Sequence, residues 1–321
     1  MRIHLPNSAW LGNIDPFLSS FQASHSEKLE ISAHKQWISV HPVVLCMVAA
    51  LGLDCQPQNI SFNKLEAKSR HYLKRMGLFK LLKIRSDIKI IEHEPAGRFI
   101  PLTQITDQKT LSHFIEDMVP LLHLQPKQAK PIRYIISELT RNVFEHSQSK
   151  TGAILCAQYY KKSNTIRLGI VDRGVGIKKT ISAVYPVKED LESIQLALTP
   201  GITGTTRRIG GTEQNMGAGL FFIKSITKVN RDFFMIYSGS GMYKLLKTSL
   251  PKKVRLYADP FRDKHSKDNK FPYWQGTVVG VDLNLDNRQE FNNLLNLIYD
   301  IVQKTIRERK KQYYKRKAKF I

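Results

Sequence analysis

This chain is predicted to have an α/β fold, with a small first unit, a larger second unit and a basic helix at its end. Strand-like alternation, as at Ile166, Leu168 and Ile170, occurs next to segments with the spacing of amphipathic helices. The chain has 321 residues, 42% of them hydrophobic, which suggests about two domains with sizeable cores. Turn-forming residues at 94–97 mark a candidate boundary. The three predicted parts are residues 1–95, 100–286 and 287–321.

The first unit is predicted to be a small α/β domain. Residues 29–32 have the pattern of a strand. Residues 42–51 are apolar on all sides, which is typical of a buried helix. Residues 62–76 carry apolar side chains amid Lys and Arg, and Gly77 predicts where this second helix ends. Residues 88–91 are expected to close the unit as a strand.

The second unit continues with further helix and strand patterns. A helix is predicted after Pro131, because the apolar residues that follow it have helical spacing. Residues 199–216 hold four glycines and few large apolar groups, so we expect a mobile loop, followed by a helix from Gly217. The predicted strands are residues 151–160, 165–171, 232–238 and 276–285.

The last part is predicted to be an amphipathic helix that ends in a strongly basic segment. Nine Lys or Arg and one acid lie between Lys304 and Lys319, in a chain whose net charge is +23. Such a charge indicates an anionic partner. The cations fit a nucleic acid, with Tyr313 and Tyr314 stacking on its bases, and they also fit an acidic protein or an anionic lipid surface. A solvated helix end is the simplest alternative.

The cysteines and apolar runs indicate a reducing compartment. Cys46, Cys55 and Cys156 are scattered and odd in number, so no disulfide framework or CxxC metal pair is expected. The longest apolar run, residues 42–51, is about half of what a membrane span needs. The first residues lack the apolar stretch of a signal peptide. We therefore expect a cytoplasmic protein without a transmembrane segment.

Glu138 and Asn142 lie four residues apart on the predicted helix, and therefore on one face of it. His146 continues this face one turn later. A carboxylate can act as a general base here, and an amide oxygen suits Mg²⁺, which needs only one or two protein ligands beside phosphates and water. Taken alone, the pair is more typical of an exposed helix face.

Asp172 follows a predicted strand and is itself followed by Gly174 and Gly176. A carboxylate at this point can accept a hydrogen bond from the exocyclic amine of adenine, and the glycines allow the backbone to approach the ring. The same residues are also usual in a turn that simply ends a strand.

Gly217 and Gly219 begin a helix after the glycine-rich loop. Small residues there expose backbone N–H groups at the positive end of the helix dipole, where phosphates bind. Arg207 and Arg208 in the preceding loop either reach those phosphates, as arginines do in other phosphoryl-transfer sites, or remain solvated.

In this order the three motifs resemble the ATP site of the GHKL superfamily, which includes gyrase, the heat-shock chaperone, histidine kinases and MutL. The motifs are ELTRN at 138–142, DRGVG at 172–176 and NMGAGL at 215–220, and Gly276-Thr277 at the start of the last predicted strand also matches. The resemblance covers residues 105–285. It implies an α/β sandwich of the Bergerat type, in which helices pack on one face of a mixed sheet.

The resemblance also implies ATP and Mg²⁺ as cofactors, with a role for each matching residue. Asn142 would hold Mg²⁺, and Glu138 would be the general base. Asp172 would bind adenine with the help of Thr277. The other cofactor-binding positions that it implies are Gly174, Gly176, Gly217, Gly219, Arg207 and Arg208.

The first unit resembles a STAS domain, a family that serine kinases of the anti-sigma-factor type phosphorylate. The matching features are the strand at 29–32 and residues 37–42 before an apolar helix. Ser39 is the counterpart of the acceptor in that family, or else simply the N-cap of the helix. The usual Asp-Ser-Ser-Gly pattern is absent from the chain.

Three functions follow as hypotheses. We expect an ATP-dependent conformational switch, in which nucleotide orders loop 199–216, the docking of a protein partner changes and slow hydrolysis resets the switch. The alternatives are a serine/threonine kinase acting on a STAS-like partner and a nucleic-acid-binding module with a regulatory ATP site. Glu138 is typical of the hydrolysing and serine-kinase branches, and many GHKL ATPases form homodimers when ATP binds.

Overall fold

The computed structural model describes most of the chain. The described residues are 1–21, 27–36, 38–63, 65–86, 99–118, 120, 124–206, 217–248, 254–286 and 291–317. The predicted boundary at 94–97, the strand predicted at 88–91 and residues 207–216 of the predicted loop lie outside this part of the chain.

Helices and strands alternate along the described residues. The strands are β1 (Arg2–Leu5), β2 (Ser8–Ala9), β3 (Leu29–Ala33), β4 (Ser39–Val40), β5 (Ile60–Asn63), β6 (Phe99–Ile105), β7 (Ala153–Tyr160), β8 (Thr165–Asp172), β9 (Phe234–Gly239), β10 (Gly241–Leu245), β11 (His265–Asp268) and β12 (Trp274–Asn284). The α-helices are α1 (Asp15–Ser20), α2 (Pro42–Leu53), α3 (Ala67–Arg75), α4 (Leu78–Leu81), α5 (Gln108–His113), α6 (Pro126–Asn142), α7 (Gly176–Ser182), α8 (Asp190–Ala197), α9 (Gly219–Val229) and α10 (Phe291–Lys317).

The largest sheet has seven strands in the order β11-β10-β9-β12-β8-β7-β6. Each neighbouring pair in it is antiparallel. The presence of helices together with this sheet agrees with the predicted α/β class, whereas the mixed sheet implied by the resemblance is wrong for these strands. Parallel pairing occurs instead in two small sheets, β1-β3-β5 and β2-β4.

Side chains alternate across the large sheet and fill a separate core on each face. On β8, Leu168 and Ile170 belong to the front core beneath α6, α9 and α10. Val171 belongs to the back core, which it shares with α2. The described helices of residues 100–286 thus pack on one face of the sheet, as the resemblance implies, and α2 of the first unit covers the other face.

Helix α2 docks on the back of the sheet where two strands lack side chains. Gly169 of β8 and Gly280 of β12 are paired in register. A Cβ atom on Gly169 would lie 2.4 Å from the backbone N of Val43, so only glycine allows the helix to approach this closely. The buried His41 accepts a hydrogen bond from Val43 N–H and lies 3.1 Å from Asp282 of β12, which fixes the start of the helix.

Two predicted helix boundaries are wrong, for identifiable reasons. The helix expected from residue 62 starts only at Ala67, because residues 60–63 pair in parallel with β3 as strand β5. It ends as predicted before Gly77, whose φ is +82°. Helix α6 starts at Pro126 rather than after Pro131, because the side chain of Gln128 accepts a hydrogen bond from the N–H of Gln125 at the helix start.

Ser39 was interpreted either as a counterpart of the STAS acceptor or as the N-cap of helix α2. The N-cap interpretation is wrong. Ser39 lies on β4, opposite Ser8 of β2, and the N-cap residue is His41. Its neighbour Val40 belongs to the back core. Because side chains alternate along a strand, the Ser39 side chain points away from this core and is half-buried.

Two further sequence features can be described briefly. Cys46 and Cys156 are free thiols in the back core, with their Sγ atoms 3.5 Å apart. Among the described helices, none combines the length and the apolar character needed to cross a membrane.

Candidate functional site

A cavity of about 300 Å³ opens between the front of the sheet and helices α6, α7 and α9. This is at the lower end of the size range of small-molecule sites. Predicted site residues that line it are Glu138, Asn142, Asp172, Gly176, Gly217, Gly219 and Thr277. Gly174 lies beside it in the turn after β8. Arg207 and Arg208 fall outside the described residues.

Asp172 ends strand β8 with its carboxyl group at the floor of the cavity. The residue is only 3% exposed, and burial raises the pKa of its carboxyl group to about 6. Hydrogen bonds from the Gly174 N–H, at 2.7 Å, and from Thr277 of the paired strand act against this rise. A carboxylate of this kind can accept a further hydrogen bond from a ligand that enters the cavity.

The turn after Asp172 requires glycine because another backbone segment crosses it. A Cβ atom on Gly174 would lie 2.0 Å from the carbonyl oxygen of Ser147. The same oxygen accepts a hydrogen bond from Val175 N–H at 2.7 Å. This contact joins the end of α6 to the start of α7, and so holds two walls of the cavity together.

Asn142 is the last residue of α6, and a π-helical turn, Val143–Ser147, follows it. Such turns are frequent at functional sites. The side-chain nitrogen of Asn142 is buried and has no hydrogen-bond partner among the described residues. A buried N–H donor without an acceptor is costly, so an acceptor atom of a ligand in the cavity is its natural partner.

Glu138 lies one turn before Asn142 and faces the start of α9. Both of its carboxylate oxygens accept hydrogen bonds from Arg141 at 2.6 Å. Burial raises the pKa of Glu138, and the positive charge of Arg141 acts in the opposite direction. A Cβ atom on Gly219 would be 2.5 Å from Glu138 Oε2, so the carboxylate lies directly against the first residue of this helix.

Gly217 shapes the entrance to α9. Its φ is +61°, and a Cβ atom on it would lie 2.3 Å from the carbonyl oxygen of Ile202. The carbonyl of Gly217 accepts a hydrogen bond from Gly201 N–H at 3.1 Å. The residues on either side of 207–216 are thus held together at the rim of the cavity.

Several lining residues were not singled out from the sequence. Tyr134 lies one turn before Glu138, so the helical periodicity that united Glu138 and Asn142 could have included it. Arg141 lies inside the ELTRN motif, but only the structure reveals that it donates a hydrogen bond to Glu138. The remaining wall at 197–204 comprises the end of α8 and the start of the predicted loop 199–216, whose position beside the cavity no local pattern indicates.

Helix α10 contacts the cavity walls at two separate points. Phe291 packs edge-on against Tyr134, with their ring centroids 5.9 Å apart. Near the other end of the helix, Arg309 donates a hydrogen bond to the carbonyl oxygen of Pro200 at 3.1 Å. The predicted amphipathic helix is therefore attached to both Tyr134 and the 197–204 wall.

No protein-family model and no curated protein matches this chain.

Proposed function

We propose that this protein is of GHKL type, binds ATP with Mg²⁺ in the cavity beneath α6 and α9, and acts as an ATP-dependent conformational switch with slow hydrolysis. One observation carries the proposal. A buried carboxylate, the amide of Asn142 and the first residues of a helix surround a single cavity. These are the three kinds of group that the base, the metal and the phosphates of a nucleotide need. The nitrogen of this amide has no partner among the described residues, and its oxygen is the atom that would hold the metal.

The residues of the cavity fit the two ends of such a ligand. Asp172 supplies an acceptor for an exocyclic amine, and its partner Thr277 keeps the carboxyl group in position. At the other end, Asn142 offers an amide oxygen to Mg²⁺, and the N–H groups at the start of α9 offer donors to phosphates. When bound, ATP supplies the phosphoanhydride bond whose cleavage the proposed hydrolysis requires.

Removal of the Asn142 amide is expected to make nucleotide binding independent of Mg²⁺. Wild type should bind ATP more tightly with Mg²⁺ than with EDTA in isothermal titration, whereas Asn142→Ala should show the same affinity in both. His146→Ala is the control, because His146 also lines the cavity without a proposed metal role. The absence of ATP binding to wild type in either condition would contradict the proposal.

The raised pKa of Asp172 predicts that ATP binds more weakly in mild acid. Its carboxyl group has a pKa of about 6 in the free protein, and only the ionised form accepts freely. Affinity should therefore be constant above neutral pH and fall by up to about tenfold per pH unit well below the pKa. Excess Mg²⁺ keeps the nucleotide ionised during the titration. His146 titrates nearby with a lowered pKa because of burial, so His146→Gln should retain the pH dependence.

The proposed switch is supported by the two contacts of α10 with the cavity walls. A ligand that displaces Tyr134 or the loop at Pro200 must also alter the packing of Phe291 or the hydrogen bond of Arg309. Hydrogen exchange of residues 291–317 is therefore expected to change when Mg²⁺ and a non-hydrolysable ATP analogue are added. Exchange in β1 and β3, which lie behind the sheet, should stay the same. If hydrogen exchange in α10 were unchanged while the analogue fully occupied the cavity, the proposed switch would be ruled out and only nucleotide binding would remain.

A further inference from the structure

Helix α10 has two faces with different roles. Four buried residues at four-residue spacing attach it to the front core, namely Leu294, Ile298, Val302 and Ile306. On its outer side, four cations are exposed in the second half of the helix, namely Lys304, Arg307, Lys310 and Lys311. We call these four residues the basic stripe. Because the apolar face is already buried in the protein, it is not available for insertion into a membrane.

The basic stripe is a row of charges with a regular repeat. Lys304, Arg307 and Lys311 follow each other at spacings of three and four residues, so they lie on one side of the helix. The row extends over about 10 Å. None of the four cations of the stripe forms an ion pair with an acid of the described residues. Arg309 differs from them, because it turns inward to Pro200.

An exposed aromatic ring follows the basic stripe. Tyr314 lies one turn beyond Lys310 and Lys311, and 65% of its surface is exposed. A tyrosine beside a row of cations is the usual composition of a surface on which unpaired bases stack while their phosphates are neutralised. An acidic protein would use the cations but has no general need for the ring.

We propose that the basic stripe and Tyr314 bind single-stranded nucleic acid. The partner should offer several negative charges together with flat rings, because this surface presents four exposed cations and an exposed tyrosine. A single-stranded nucleic acid offers both, because it carries one negative charge per nucleotide and its bases are unpaired. The stripe lies on the outer side of α10, away from the cavity, so nucleic-acid binding does not require ATP to be bound.

The test is a salt titration of binding to a labelled, mixed-sequence single strand of about 20 nucleotides. The variant K304Q/R307Q/K310Q/K311Q is expected to lose more than about tenfold in affinity at low salt, and the slope of log K against log salt should fall by about 3. The matched control is K68Q/R70Q/K80Q/K83Q, which removes the same charge from exposed positions on and near α3 and α4. This control should change affinity by less than about threefold, because its cations are outside the proposed contact.

Tyr314→Ala separates stacking from charge. It should weaken binding by about fivefold or more and leave the salt slope unchanged. Unaltered circular dichroism and melting temperature would show that the variants are folded. Three results would overturn the proposal: no binding by wild type at low salt, equal losses in the stripe and control variants, or equally effective competition by polyglutamate of the same charge. The last result would assign the surface to an acidic protein instead.

Discussion

Replacement of Asp172 by alanine is expected to abolish ATP binding in the concentration range where wild type is saturated. The variant removes the acceptor at the floor of the cavity and leaves the Gly174 N–H without its 2.7 Å partner. A hydrogen bond to a charged group contributes up to about 3 kcal/mol, which corresponds to a loss of about a hundredfold in affinity. Isothermal titration with ATP and Mg²⁺ measures the effect directly.

Base preference gives this prediction a second readout. A carboxylate that accepts from an exocyclic amine should favour ATP over GTP, which presents a carbonyl oxygen at the corresponding ring position. In Asp172→Ala the two nucleotides should bind equally weakly. A wild type that binds both with the same affinity would show that Asp172 does not read the base.

Asp232 provides a matched control for Asp172. It is also 3% exposed, and burial likewise raises its pKa to about 6. Its carboxylate accepts from Asn284 N–H and faces Lys247, outside the cavity. Asp232→Ala should therefore reduce thermal stability while ATP affinity stays the same. If both variants lost binding equally, the effect of Asp172→Ala would reflect the fold rather than the site.

Periodicity and turn chemistry made much of the cavity predictable. Helical spacing placed Glu138 and Asn142 on one face, and the strand before Asp172 placed its carboxyl group at a sheet end. Because both signals are local, they do not depend on how the rest of the chain packs. The structure accordingly brings these residues to one cavity, together with Gly217 and Thr277 from elements far along the sequence.

The packing of the first unit against the sheet was not predictable in the same way. It depends on the register that puts Gly169 opposite Gly280, and on a contact between His41 and Asp282, 241 residues apart. No local pattern carries such information. The mixed sheet was likewise expected from a family resemblance rather than from the strands themselves. It proved wrong because each neighbouring pair in the described large sheet is antiparallel.

The predicted start of the helix at 62–76 was wrong because a helical pattern and a strand pattern overlap in these residues. Phe62 and Leu65 fit an apolar helical stripe, but Ile60 and Phe62 also have the two-residue period of a strand. Pairing with β3 decides in favour of the strand, since it satisfies the backbone of both segments. The residue that ends the helix, Gly77, could be identified because its left-handed φ is a local requirement.

Replacement of Glu138 by glutamine is expected to stop ATP turnover while ATP binding persists. Glutamine keeps the shape of the side chain but cannot accept a proton. Loss of a general base costs about 10² to 10⁴ in rate. Burial raises the pKa of Glu138, which brings its proton affinity closer to that needed near neutral pH. Release of labelled phosphate from γ-labelled ATP measures turnover. A protein gel of the same reaction shows whether label is transferred to protein.

Glu145, in the π-helical turn after α6, distinguishes the base from its surroundings. Its carboxylate also lies near Arg141, at 3.7 Å, but it is more exposed and does not line the cavity. Glu145→Gln therefore changes the charge around Arg141 without removing the proposed base, and its turnover should match wild type. If Glu138→Gln hydrolysed ATP as fast as wild type, another residue would have to be the general base. Label on protein that disappears in Glu138→Gln would favour the serine/threonine kinase, because the same carboxylate would then activate a hydroxyl group instead of water.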